Sequence, residues 1–76
     1  MAREIAPGIT VDPAIKDGKP VIKGRRIPVD LVVGKLGGGM TIEEVMGEYD
    51  LKREDVLAAL RYAAHLVSIG QNQNDD

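Results

Sequence analysis

The hydrophobic pattern changes its period near residue 28. Before that point, apolar residues come in brief β-branched runs bounded by turn formers. Gly8-Ile9-Thr10-Val11 ends at Asp12-Pro13, and Val21-Ile22 lies between the Asp17-Gly18 turn signal and Gly24. Pro20 has no backbone donor, so the second run is very short or an edge. Residues 8–27 are expected to form a small two-stranded hairpin element. After Pro28 the spacing becomes helical. Pro28 suits a first turn, Asp30 complements the positive end of the helix dipole, and Val29, Val32, Val33 and Leu36 recur at three- and four-residue steps. Gly37-Gly38-Gly39 should stop this helix, with Gly37 in a left-handed cap. Thr41-Ile42-Glu43-Glu44 has the form of a capping box and opens a second helix over about 42–48. Asp50-Leu51 reads as a turn, and a longer third helix is expected from about Arg53 to Ile69, stopped by Gly70. The polar run from 71 to 76 is expected to be a disordered tail. The fold class is mainly α: one domain over 1–70, with a helix-turn-helix-like trihelical part over 28–70 and a small N-terminal β-hairpin element.

The third helix is apolar over more than one stripe. Val56, Leu60, Ala63 and Val67 form one row, and Leu57, Ala64 and Leu66 widen it. So broad a face suits burial against both the domain and a second chain. Size argues the same way, because 76 residues without cysteine and with two tyrosines as the only aromatics make a small core without staples. A homodimer is expected, with Leu57, Leu60, Ala64, Leu66 and Val67 at its interface.

The net charge of −2 is unevenly placed. Residues 1–40 carry seven Lys/Arg against four Asp/Glu, and residues 41–76 carry three against eight. The basic residues cluster in "KDGKPVIKGRR", within a segment built as a turn. Lys23, Arg25 and Arg26 form either a strip that contacts phosphates without reading sequence or a solvated face. "MTIEEVMGEYDLKREDVLAAL" has the apolar spacing of a helix-turn-helix, whose second helix enters the major groove. Lys52 and Arg53 at the start of that helix join the strip as candidate DNA contacts. Glu54 and Asp55 beside them work against phosphate.

"GKLGGGMT" approaches the phosphate-loop pattern, but Met40 stands where the lysine is needed. Its glycines are better read as a helix stop. One histidine, His65, and no cysteine give little for a transition metal. Ser68 has no base beside it in sequence. No catalytic constellation, metal site or cofactor is expected, and the chain is read as non-enzymatic. No apolar run is long enough to span a membrane and no signal-peptide pattern is present, so a cytoplasmic location is expected.

"GKPVIKGRRIPVDLVV", followed by "MTIEEVMGEYDLKREDVLAALRYA", resembles the domain of unknown function 433 family. Its members read G-K-P-V-I-x-G-T-R-I-P-V, then a "G-x-T/S-x-E-E-I" helix start, "Y-P-x-L-T-x-E-D-I" and "A-L-x-Y-A". The likeness covers about residues 8–64. Arg25 stands where that pattern has Thr, Asp50 near its Pro, and Lys52 in place of a capping Thr or Ser, leaving Glu54 and Asp55 to serve that helix start. The resemblance implies the antitoxin of a type II toxin–antitoxin pair that neutralises a PIN-like ribonuclease toxin and binds operator DNA as an autorepressor. The alternative is a protein-interaction module, a dimeric helical bundle with no DNA role. A ribonuclease must attract RNA, so its cleft should be electropositive. Glu43, Glu48, Glu54 and Asp55, with the acidic tail, are therefore the candidate toxin contacts.

Overall fold

The computed structural model describes residues 1–73. Three short strands, β1 (Arg3–Ala6), β2 (Ile9–Val11) and β3 (Val21–Ile22), form an antiparallel sheet in that order. Three helices follow: α1 (Val29–Gly37), α2 (Ile42–Tyr49) and α3 (Arg53–Gln73). The mainly helical class and the N-terminal β element are as expected. The expected strand pair is real, with Ile9 opposite Ile22 and Thr10 opposite Val21. A third strand joins it: β1 pairs with β2 across a Pro7-Gly8 turn and carries a bulge between Glu4 and Ala6.

The core explains why strands of two and three residues persist. Ile9, Ile22, Val29, Val32, Val45, Leu51, Val56, Ala58 and Ala59 form one buried cluster to which sheet and helices all contribute. The chain passes over α3 at Gly8, where an added Cβ would lie 2.9 Å from the Cβ of Ala58. Alanine at 58 and 59 lets the sheet sit close to α3; both are buried. Residues 20–29 close a loop on themselves: Val29 N–H donates to Pro20 C=O at 3.0 Å and Ile22 N–H to Ile27 C=O at 2.9 Å.

The helix ends follow local chemistry. Thr41 and Glu44 make the reciprocal capping box, at 3.0 Å and 2.8 Å. Removing it with Thr41→Ala should cost about 1 kcal/mol in urea denaturation. At α3, the Asp55 carboxylate accepts from Lys52 N–H at 2.9 Å, the carboxylate half of a capping box without its hydroxyl half. Two boundaries differ from expectation. Gly38 caps α1 in right-handed geometry and Gly39 takes the left-handed conformation (φ +111°), so the chain reverses two residues later than Gly37. Helix α3 runs through Gly70 to Gln73, because one interior glycine costs only about 1 kcal/mol. Residues 71–73 of the expected tail are thus helical, and 74–76 lie outside the described residues.

Candidate interaction surface

The basic segment is organised inward. Arg25, half-buried, donates to the carbonyls of Tyr49 and Asp50, the final turn of α2. Those carbonyls have no partners within α2 and carry the negative end of its dipole, so a guanidinium there caps the helix. Asp50 is left-handed (φ 55°, ψ 50°), the conformation a glycine would take more readily. Arg25 thereby ties the loop after β3 to the turn between α2 and α3. Arg25→Ala should lower the stability by about 1–2 kcal/mol, read from the denaturation midpoint, because two carbonyls lose a charged donor.

Lys23 pairs with Glu4 at 3.0 Å, and Arg53 pairs with Glu43. Arg26 and Lys52 are exposed, and neither joins an ion pair among the described residues. The five candidate DNA residues therefore do not form one open basic strip. The acidic set is likewise engaged. Glu43 holds Arg53, Glu54 lies 3.6 Å from Arg61, and Asp55 accepts from Lys52 N–H, leaving Glu48 exposed and without an ion pair among the described residues. Glu43 and Arg53, assigned from the sequence to different partners, face each other across the α2–α3 junction.

Four carboxylates are held below their ordinary range. Glu4 accepts from Gly8 N–H and from Lys23; Asp12 accepts from Ala14 N–H; Asp30 pairs with Lys19 at 2.7 Å; Glu43 pairs with Arg53. A carboxylate depressed in the folded state stabilises above its unfolded pKa, and that contribution is lost as pH falls through the lowered value. Stability should be level from neutrality to about pH 5 and decline below about pH 4. These groups are exposed, so the decline should shrink in 1 M salt. A melting temperature unchanged between pH 7 and pH 3 would contradict this.

The largest unsatisfied feature is apolar. Val56, Ala59, Ala63, Leu66, Val67 and Gly70 follow three- and four-residue steps along α3. Val56 and Ala59 are buried and Ala63 half-buried. Past that point the helix leaves the domain, and Leu66, Val67 and Ile69 are 50%, 58% and 43% exposed. The expected dimer set divides accordingly. Leu60 packs against the core, Leu57 is half-buried, and Ala64, Leu66 and Val67 lie on the projecting end. Ile69, left out of that set, is also exposed on the projecting end, beside Leu66 and away from Val67. The exposed end also carries His65 and Ser68. A shallow hollow lies elsewhere, at the N-terminus, lined by Met1, Arg3, Val11 and Pro13. Among the described residues no group of three His, Cys, Asp or Glu side chains is placed to hold a metal ion, and no helix is long and apolar enough to cross a membrane.

A family model described as a protein of unknown function, DUF433, matches residues 9–63. This chain belongs to that family. The DUF433 match ends at Ala63, where α3 leaves the packed domain. Among solved structures, the chain is similar to a DUF433 member protein from Anabaena variabilis, with 27% identity and a TM-score of 0.74, covering 87% of this chain and 66% of that one. It is also similar to Rv2018 from Mycobacterium tuberculosis, with 31% identity and a TM-score of 0.62, covering 68% of this chain and 24% of that one. The chain thus spans just under two thirds of the first relative and about a quarter of the second. No curated protein matches it.

Proposed function

We propose that this DUF433 protein is the antitoxin-type component of a type II toxin–antitoxin pair, a cytoplasmic, non-enzymatic protein that binds and neutralises a PIN-like ribonuclease. The family pattern motivates the pairing. The observation that carries it is the projecting end of α3, where Leu66, Val67 and Ile69 are about half exposed. A helix presenting apolar side chains at such spacing suits a groove on a partner protein. The apolar end of α3 is favoured over the acidic face as the main toxin contact, since Glu43 and Glu54, though exposed, already have basic neighbours in Arg53 and Arg61. Co-expression with the product of the adjacent gene, on this reading the ribonuclease, tests the pairing. Relief of growth arrest is expected; unrelieved arrest, with both proteins soluble, would overturn it.

A second reading, operator binding, is favoured by the capped α2, the tight turn at Asp50 and α3 in sequence. Arg26 and Lys52 are then the phosphate contacts. Replacing both with alanine should reduce the slope of log affinity against log salt by about 1.8 on upstream DNA. Wild-type protein whose binding is absent or salt-independent would leave a protein-interaction module without a DNA role.

A further inference from the structure

We propose that, in the protein without its toxin, the projecting end of α3 is covered by the same segment of a second copy, the two α3 helices packing antiparallel about Val67. This deepens the reading above, on which it rests for the role of that end, and makes self-association and toxin binding alternatives at one surface.

Two observations select a second copy. First, residues 62–73 contain no Asp, Glu, Lys or Arg. An identical surface meets itself without like-charge repulsion only when it is uncharged or internally paired, and a strongly charged partner finds nothing complementary here. Second, Leu66 and Val67 flank the small residues Ala63 and Gly70 on one face of α3, which permits the 8–10 Å axial separation of packed helices.

The fold also selects the orientation. The stripe exposed at Leu66 and Val67 is the one that faces the domain's own core at Val56 and Ala59. A parallel pair would force both domains into the same space between the helices. An antiparallel pair overlaps only the projecting ends and leaves the domains at opposite sides. The overlap is roughly three turns, about 15 Å. That is short compared with stable interfaces, so a reversible equilibrium is expected at micromolar concentrations.

The test is sedimentation velocity of the full chain from low to high micromolar concentration, with oxidative cross-linking of single-cysteine variants. The chain has no cysteine of its own, so each introduced thiol reports alone. The wild type should pass from monomer to dimer. Leu66→Glu with Val67→Glu should weaken the dimer by at least about tenfold, because two carboxylates would be buried without partners. His65→Glu, on the opposite side of the helix, should leave it unchanged. Val67→Cys should cross-link. Ala63→Cys should not, because its antiparallel counterpart lies about 12 Å away along the axis. Circular dichroism checks that each variant keeps its helices. A wild type monomeric throughout, a dimer indifferent to the double substitution, or Ala63→Cys cross-linking as readily as Val67→Cys would overturn the proposal. The growth-relief assay is independent of these outcomes, so the toxin reading and the dimer can fail separately.

Discussion

Gly8→Ala should remove about 3 kcal/mol of folding stability. Two costs combine. Gly8 has φ +81°, and an L-residue held in left-handed backbone loses about 1–2 kcal/mol. Its new methyl group would also lie 2.9 Å from the Cβ of Ala58, which is buried on α3 and has little room to yield. Overpacking of that kind costs about 1–3 kcal/mol. Gly24→Ala separates the terms, because Gly24 also has positive φ (+76°) but nothing stands within 4 Å of an added Cβ. It should cost only the backbone part, about 1 kcal/mol. A domain of this length has about 4–11 kcal/mol in all, so Gly8→Ala should move the urea midpoint severely. Equal midpoints for the two variants would show that the sheet does not press on α3 there.

Ile22→Ala is the second large effect, about 3 kcal/mol. Ile22 is fully buried, pairs with Ile9 across the sheet, and belongs to the same cluster as Val56 and Ala59 of α3. Strand β3 has only two residues, so the backbone ladder alone cannot hold it. Losing three buried carbons leaves a cavity and also loosens the loop that carries Arg25 to the end of α2. The loss should therefore exceed that of Arg25→Ala, and the two should not add when combined. A simple sum in the double variant would mean that loop and core are independent.

Much of this was legible in the sequence, for local reasons. The capping box at Thr41 is a reciprocal contact three residues long, and period-3.6 spacing placed all three helices. β1 was not legible, because Arg-Glu-Ile-Ala has a single β-branched residue and no alternation. Its only mark is the Pro7-Gly8 pair, a turn dipeptide that needs a strand on each side. The burial of Ala58 and Ala59 was also hidden, since small residues signal a core only where another backbone approaches closely. Arg25 looked like a phosphate contact because its target, the free carbonyls of α2, is 24 and 25 residues away. The extent of α3 was misjudged at Gly70, a plausible stop that the helix crosses. The projecting end is therefore longer than that stop implied, by residues 71–73.

The central claim is that the free end of α3 is the protein-binding surface. Its most direct test is calorimetric titration of the proposed PIN-like ribonuclease partner with the wild type and with the Leu66→Glu, Val67→Glu double variant. Both residues are about half exposed in the single chain, so the variant should fold and melt like the wild type at monomeric concentration. The account expects saturable binding by the wild type and roughly a hundredfold weaker binding by the variant, as for the loss of two central anchors. Equal affinity of the two proteins for the ribonuclease would contradict it.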